Sequence, residues 1–332
     1  MRALLTALTL CAPLPALANC PPVADPVISL NFESRYAADD ATRSEIDPEA
    51  EADTKAALAV LDDFISDLSS RTDAALSEQD TAEAYCVMAA LAGWAEADAM
   101  SDLGTQTVEL TIAPRLSALA LIAGQVAPIA DPDQTANVAA WLARRMEAQM
   151  TFWETAPKGA ASGNLRAWSA LAGAAVAQLN DDPILRGWAA WSLTYVACST
   201  NPDGSLPQEM TRKKLALHYQ VHAVTPLTVG AALLEQQGMP VLARCNGALE
   251  RIVGFTLRDL AAGGVESEAI SGEPHTLNAG LDSLKGFQLS WAEAWLSLTA
   301  DPEVESLIAP RRPLKYSKLG GDQTRIWAEQ TD

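Results

Sequence analysis

The stretch that decides the fold is residues 182–227, DPILRGWAAWSLTYVACSTNPDGSLPQEMTRKKLALHYQVHAVTPL. Its opening Asp-Pro pair is typical of a helix start, because the carboxylate caps free backbone N–H groups and proline suits the first turn. The NPDG sequence at 201–204 predicts a turn. A second helix start follows at Ser205, where Gln208 completes a capping-box pattern. The stretch therefore predicts a helical hairpin, whose second helix we expect to end before Pro226.

Apolar residues around this hairpin follow the helical period. After Asp182 they form one predicted core-facing stripe with three- and four-residue spacing: Ile184, Trp188, Trp191 and Tyr195. Asp133 stands ahead of a similar stripe: Val138, Trp141, Leu142 and Met146. Such segments alternate with short turns from about residue 50 to residue 300. We therefore predict an all-α domain over residues 19–332, a layered array of helical hairpins that can curve into a toroid. We interpret residues 301–332 as a loop-rich surface tail.

The first 18 residues are typical of a secretory signal peptide. A short basic start precedes an apolar run from Ala3 to Pro15, and ALA at 16–18 forms a small-x-small cleavage pattern. The alternatives are a buried N-terminal helix and a lipoprotein lipidated at Cys20, although Asn19 is a poor residue at that place. We expect export to the periplasm or the medium.

Cysteine usage agrees with export. Four cysteines follow the signal: Cys20, Cys86, Cys198 and Cys245. An even number in an oxidising compartment predicts two disulfides, for which three pairings are open. Because the sequence has no CxxC or Cys/His cluster, it gives no support for a structural zinc site.

The charge limits the partners of the chain. The formal net charge is −19, which argues against binding nucleic acid or an anionic membrane, since both require a positive surface. No apolar run is long enough to predict insertion into a membrane. An acidic substrate would also be repelled overall, so its binding site must be locally cationic. We expect a monomer that needs no metal or organic cofactor.

One segment of the hairpin contains residues suited to catalysis. Arg212 and Tyr219 are seven positions apart on the predicted helix, so their side chains share a face at 100° per residue. His222 lies three residues beyond Tyr219 on the same surface, whereas His218 points about 100° away. The alternative is a buried tyrosine beside solvated basic residues.

A second segment opens another predicted helix with Asn164, Leu165, Arg166 and Trp168. By itself, Asn164 is most often an N-cap and Trp168 a core residue.

Together these segments resemble the alginate lyases of polysaccharide lyase family five. Residues 204–227 are similar to the family signature GxLPxE…R……Y….A..PL, and residues 163–168 to its Asn-Asn-His-x-x-Trp motif. Weaker similarity covers residues 32–43, near the mature start, and the segment from Cys86 to Glu96, with Cys20 as the implied disulfide partner of Cys86. A late Trp-x-Glu is matched at residues 291–293. The resemblance runs in order along nearly the whole mature chain.

The resemblance implies an incomplete α/α toroid of antiparallel helical hairpins and a β-elimination at a uronic acid. Tyr219 would transfer the proton, while Arg212 and Asn164 would neutralise the substrate carboxylate. We assign His222 to the catalytic group as well. Substrate binding is assigned to five further residues: Arg35, Tyr36, Arg166, Trp168 and His218.

Leu165 departs from the family pattern, which has histidine at this place. His222 or Arg166 would have to compensate, and we expect His275 to be a surface residue. The preferred hypothesis is a lyase acting on mannuronate-rich alginate or a related polyuronate. The alternatives are a catalytically silent protein that binds acidic polysaccharide, which Leu165 favours, and a glycoside hydrolase, for which the sequence pairs no two carboxylates.

Overall fold

The structure is a computed structural model that describes residues 20–328. The predicted signal peptide, residues 1–18, lies outside the described residues. The α-helices of the described chain are, in order, α1 (Pro48–Glu78), α2 (Thr81–Glu96), α3 (Gln106–Thr111), α4 (Ala113–Val126), α5 (Pro132–Thr155), α6 (Lys158–Ala161), α7 (Asn164–Asn180), α8 (Pro183–Cys198), α9 (Pro207–Met210), α10 (Ala216–Gln236), α11 (Arg244–Ala261), α12 (Val265–Ser271), α13 (Gly286–Leu289), α14 (Trp291–Thr299), α15 (Pro302–Ile308) and α16 (Gln323–Ala328).

Two short strand pairs complete the described structure. β1 (Ser29–Leu30) lies parallel to β2 (Asp102–Leu103), and β3 (Lys315–Tyr316) lies antiparallel to β4 (Gly321–Asp322).

Helical hairpins form two layers. The inner helices pack side by side in the order α1, α4, α7, α10 and α14, and each is covered by its hairpin partner α2, α5, α8, α11 or α15. Short connections within each hairpin make its two helices antiparallel. The fold is thus the expected α/α toroid. α7 is buried along nearly its whole length, and most of its buried residues are small. Neighbouring helices can therefore approach it closely.

The last described segment closes the gap between the two ends of this helical row. Residues 312–328 contact α14 on one side and α1 and α4 on the other. Leu314, Leu319 and Trp327 in this segment are buried in the core. The prediction of a surface tail was therefore wrong, because these apolar residues are separated by polar ones and show no helical period.

The stripe predicted to bury one face of α8 is also wrong. Ile184 is 75% exposed, Trp191 54% and Tyr195 45%. Leu185 and Leu193 instead belong to the buried face. The spacing identified the helix but not the side that faces the core, because α8 packs against α7 through small residues. In α5 the predicted stripe is confirmed, and all four of its apolar residues are buried, although Asp131 rather than Asp133 caps that helix.

Pro226 does not end its helix. It lies inside α10, which continues to Gln236. A proline in a helix interior loses one backbone hydrogen bond and costs about 3 kcal/mol. Because nearly every residue of α10 from Ala223 to Leu234 is buried, the apolar packing of this central helix offsets that loss.

Both disulfides join neighbouring parts of the structure. Cys20–Cys86 ties the N-terminal segment to α2, as the resemblance implied, and Cys198–Cys245 joins α8 to α11. His275, expected at the surface, is instead buried, and its Nδ1 accepts the backbone N–H of Leu217 at 3.4 Å. Within residues 20–328 no helix has the length and apolarity needed to cross a membrane.

Candidate active site

A cavity of about 370 Å³ opens at the N-terminal ends of α7 and α10. A second cavity of about 190 Å³ shares four of its lining residues: Arg43, Asn164, Leu165 and Arg212. The two cavities therefore lie side by side with Asn164 and Arg212 between them, and together they are called the groove. A groove of this form suits an extended chain better than a compact ligand.

Arg212 and Tyr219 meet in this groove, but not as two residues of one helix. α9 ends at Met210, a 3-10 turn spans Lys213–Leu215, and α10 begins only at Ala216. Lys213 has a φ of 47° and breaks the helical path. The chain nevertheless brings the Arg212 Cζ atom to 3.9 Å from the centre of the Tyr219 ring.

The predicted capping box at the start of this segment is not formed either. The Ser205 hydroxyl and N–H both donate to the Asp203 carboxylate, at 2.7 and 2.8 Å, instead of capping a helix. The N–H of Leu206 donates to Gln220 Oε1 at 3.0 Å. The turn itself requires Gly204, which has a φ of 99° and whose Cβ would lie 2.0 Å from the Arg251 carbonyl oxygen.

A loop beside the N-terminal end of α10 holds Arg35 and Tyr36 in the cavity. Tyr36 pairs with Ile46 in an antiparallel bridge. Lys214, just before α10, forms an ion pair with Glu45 at 2.6 Å. These contacts fix the loop across the cavity from α10, and this is how residues distant in the sequence come together.

The Tyr219 hydroxyl lies among donors and cations. Arg35 Nη2 donates to the hydroxyl oxygens of Tyr36 and Tyr219, at 3.1 Å each, and the two hydroxyls are in hydrogen-bond contact with each other. Arg212 lies over the ring of Tyr219. Two guanidinium groups thus lie beside this phenol, one at its oxygen and one over its ring.

Asn164 is held by a buried carboxylate that the sequence analysis did not assign to this site. The backbone N–H of Asn164 donates to Glu209 Oε1 at 2.7 Å, and its Nδ2 donates to Oε2 at 2.9 Å. Burial raises the pKa of Glu209 to about 7, opposed by the Asn164 hydrogen bonds and by Arg212. The Asn164 Oδ1 atom is buried without a partner. Asn164 is the first residue of α7 and not its N-cap.

Both predicted histidines border the cavity beside Tyr219. Their ring centres lie 5.2 Å (His218) and 6.1 Å (His222) from that of Tyr219. His218 does not point away as expected, because the cavity spans the 100° of helix surface between residues 218 and 219, with His222 between them. Burial lowers the pKa of His222 to about 3, with smaller contributions from His218 and two arginines. His222 is therefore neutral near pH 7.

Leu165 lines the cavity next to Asn164 and offers no donor there. Two residues assigned to substrate binding do not line the cavity. Trp168 is fully buried and packs behind His222, with ring centres 5.3 Å apart. Arg166 points to the opposite side of α7 and lies against Trp191. The reason is helical geometry, since Arg166 is two residues, or 200°, from Asn164.

The far wall of the cavity comes from residues that the sequence analysis missed: Arg115, Tyr316 and Lys318. Arg115 binds the Asp62 carboxylate through two nitrogens, at 2.7 and 2.9 Å, and Lys318 pairs with the same carboxylate. Burial and Arg115 lower the pKa of Lys318 to about 8. The available signal was the run Lys-Tyr-Ser-Lys at 315–318 in an otherwise acidic chain.

The groove is therefore cationic although the chain is strongly acidic. Five basic residues line it: Arg35, Arg43, Arg115, Arg212 and Lys318. Asp62 neutralises only one of the two cations that it binds. Glu51 lies 3.7 Å from Arg35, and Glu33 and Glu209 line the two cavities, so the excess of positive charge is small. Within the described part of the chain no cluster of His, Cys, Asp and Glu suited to a metal ion is found.

A cationic groove with tyrosine hydroxyls, at one end of an α/α toroid, defines a class of protein that binds acidic polysaccharide chains, as polysaccharide lyases do. The family described as "Alginate lyase" matches residues 104–265. A polysaccharide lyase of Stenotrophomonas maltophilia is 30% identical over 327 residues, covering 95% of this chain and 93% of that protein.

Other relatives agree. An alginate lyase of Azotobacter vinelandii is 27% identical over 325 residues, covering 93% of this chain and 84% of that protein. An alginate lyase of Pseudomonas syringae is 28% identical over 253 residues, which are 73% of this chain and 65% of that protein. The chain belongs to the alginate lyase family.

Solved structures share the fold. Alginate lyase A1-III complexed with a tetrasaccharide superposes with a TM-score of 0.78 at 20% identity, covering 95% of this chain and 87% of that one. The same enzyme from Sphingomonas species A1 gives a TM-score of 0.76.

Proposed function

We propose that this protein is a polysaccharide lyase that cleaves mannuronate-rich alginate, or a related polyuronate, by β-elimination. One observation carries the proposal: the Tyr219 hydroxyl accepts a hydrogen bond from Arg35 at 3.1 Å and the Tyr219 ring lies beneath Arg212, in a groove that also contains Asn164. Each of these groups has a role in removing a weakly acidic C–H proton. Family membership supports the same class of reaction.

The proposed reaction needs no external oxidant or reductant. Tyr219 acts as a phenolate, stabilised by Arg35 at its oxygen and Arg212 over its ring. It takes the proton from C5 of a uronate residue, the C4–O bond breaks with its electron pair leaving on the oxygen, and a C4–C5 double bond forms. In mannuronate the C5 hydrogen and the C4 oxygen lie on the same face of the ring. Tyr219 then returns its proton to the departing oxygen, and the product is an unsaturated uronate at a new non-reducing end.

The substrate carboxylate must be neutralised before C5 loses its proton. Fixed donors and cations aimed at the developing charge supply this stabilisation. Arg212 is the proposed cation and Asn164 the proposed amide donor. The ionised form of Glu209 holds the Asn164 Nδ2 atom, but protonated Glu209 can donate to Oδ1 after the amide turns, which frees Nδ2 for the substrate. We therefore expect the form with protonated Glu209 to be the active one.

Positive charge along the groove supports an acidic polymer as the substrate. Arg115 and Lys318 on the far wall can hold the carboxylate of a neighbouring sugar, while Arg43 lies where the two cavities join. This distribution accounts for local attraction despite the net charge of −19.

Export to the periplasm or the medium is part of the proposal. Two disulfides within one chain support it, since such bonds persist in oxidising compartments. Cell fractionation followed by N-terminal sequencing tests it: a mature chain starting at Asn19 is expected, and an uncleaved cytoplasmic chain would reject it.

The activity is tested by screening polymannuronate, polyguluronate and glucuronan for the ultraviolet absorbance of unsaturated uronates. We expect product from polymannuronate. Tyr219→Phe should lower kcat by about 10²–10⁴-fold or more, the usual contribution of a proton-transfer group. Its thermal midpoint should change little, because the packing volume is almost unchanged and the loss of the hydroxyl's hydrogen bonds costs about 1 kcal/mol. Tyr85→Phe on α2, outside the groove, is the matched control, and full activity in the Tyr219 variant would reject the assignment.

A silent polysaccharide-binding protein is the second candidate, and Leu165 favours it. The cavity lacks a donor at this position, and the neutral His222 ring centre lies 6.1 Å from that of Tyr219. Measurable polymer binding without unsaturated product from any of the three polymers would establish this alternative.

A further inference from the structure

The outer face of α8 carries two exposed aromatic rings. Trp191 is 54% exposed and Tyr195 45% exposed, one helical turn apart. Their ring centres are 5.8 Å apart, with an angle of 30° between the planes. Together the rings form a nearly continuous aromatic surface that faces solvent.

Arg166 lies directly against this surface, although it is only 5% exposed. Its Cζ atom is 4.4 Å from the ring centre of Trp191, 5.2 Å from that of Tyr195 and 5.8 Å from that of Trp153. Its Nε atom is buried and has no hydrogen-bond partner. Within the part of the chain that the structure describes, no carboxylate pairs with it. Burial lowers its pKa, and only Tyr195 acts in the opposite direction.

A buried arginine without an acidic partner is uncommon, because removing a cation from water is unfavourable unless an anion or hydrogen bonds replace the water. Stacking on aromatic rings compensates only part of this, about 2 kcal/mol for a desolvated pair. The positive charge of Arg166 is therefore not balanced by a carboxylate of the described chain, and it attracts an anion through the rings that cover it.

We propose that Arg166, Trp191 and Tyr195 form a second binding site, outside the groove, for the uronate residues of an acidic polysaccharide chain. The apolar face of a sugar ring would stack on Trp191 or Tyr195, because an exposed aromatic ring offers it a flat apolar surface. The Arg166 charge would attract the sugar carboxylate. The identification of the ligand as a polyuronate rests on the proposed function. The stacking and the charge attraction depend only on Arg166, Trp191 and Tyr195.

Its place in the fold suits a polymer that also enters the groove. Arg166 is two residues beyond Asn164 in the first turn of α7. Asn164 faces the groove, and Arg166 faces the outer wall. Both sites therefore lie at the same end of α7, and the proposal requires a polymer long enough to extend from the groove to the aromatic surface. The second site would increase the affinity for polymer through effective concentration.

Affinity electrophoresis in gels containing polymannuronate tests the proposal without requiring turnover. We expect Trp191→Ala to weaken the retention of the protein by about five- to tenfold in apparent Kd, the effect of losing one stacked, cation-supported ring. Ile184→Ala is the matched control, since Ile184 is an exposed apolar residue of the same helix. It should leave retention unchanged. Arg166→Met, which keeps the length but not the charge, should lower retention in the same way.

Two results would overturn the proposal. One is equal retention of the Trp191 and Ile184 variants, and the other is equal retention of the wild-type protein by a neutral glucan gel. Loss of concentration-dependent self-association in Trp191→Ala, with unchanged retention, would assign the surface to a second copy of the chain instead. Because Trp191 and Ile184 are both exposed, their variants decide the test even if the Arg166 variant fails to fold. Absence of unsaturated product would reject the lyase proposal but not this site.

Discussion

At the scale of single residues, the Glu209 carboxylate decides the orientation of the Asn164 side-chain amide beside the groove. When Glu209 is ionised, it accepts both Asn164 hydrogen bonds and leaves only the acceptor Oδ1 free. That oxygen would repel a substrate carboxylate. When Glu209 is protonated, the amide can turn and offer Nδ2. With a pKa of about 7, the carboxylate changes state near neutral pH.

This coupling predicts a pH dependence of kcat/KM. In the wild-type protein kcat/KM should fall as the pH rises through about 7, because Glu209 then loses its proton. Glu209→Gln imitates the protonated form at all pH values. The fall should therefore move toward about 8, where Lys318 loses its charge. The pH–rate profiles of the two proteins measure this shift.

Lys318→Arg is the control for that experiment, because arginine keeps its charge throughout this range. It should retain the wild-type fall near pH 7. Identical profiles for wild type and Glu209→Gln would show that Glu209 does not control Asn164.

At the scale of elements, residues 312–328 act as a wall of the site rather than as a tail. Leu319 is 1% exposed, and the preceding Lys318 reaches the groove. Leu319→Ala should lower the free energy of unfolding by about 2–5 kcal/mol, as for other buried leucines. Urea denaturation measures the change. Val60→Ala on α1, which is 45% exposed, should stay within about 0.5 kcal/mol of wild type.

Leu319→Ala should also raise KM for polyuronate, because a shifted C-terminal segment displaces Lys318 from Asp62. A Leu319→Ala protein with wild-type stability would mean that the segment is only peripheral to the fold.

At the scale of the whole molecule, two disulfides fasten distant parts of the chain. Cys198 and Cys245 are 47 residues apart, and Cys20 and Cys86 are 66 apart. In the loop-entropy description, a bond closing loops of this length stabilises the folded state by about 4 kcal/mol. Replacing both members of one pair by serine should cause a loss of that size, measured by denaturant titration under oxidising conditions.

Reduction of the wild-type protein is the matching control, and it should lower stability by more than either serine pair does. Unchanged stability after replacement of Cys198 and Cys245 would show that packing alone holds α8 against α11.

Much of the candidate site was predicted from short segments of sequence. Arg212, Tyr219, Asn164 and His222 were named and do meet around one groove. The reason for their meeting was predicted wrongly, because the turn at Lys213 breaks the helix that was expected to align the first two. The two side chains nevertheless meet as predicted, because Arg212 reaches the Tyr219 ring across the turn.

Other site residues carried no local signal. Arg115 and Lys318 are 203 positions apart, and only the packing of the C-terminal segment on α4 brings both to Asp62. Glu209 lay within the analysed segment, but its role depends on complete burial, which a four-residue helix pattern does not reveal.

The sequence by itself determined the helices, their hairpin order and the residue types of the reaction centre, because helical period, caps and turns act over a few neighbouring residues. Only the tertiary structure decided which face of α8 is exposed, that Arg166 leaves the groove, and that the last segment completes it. These outcomes depend on which surfaces compete for burial against α1, α4 and α7. That competition involves the whole chain at once, and no short stretch of residues contains it.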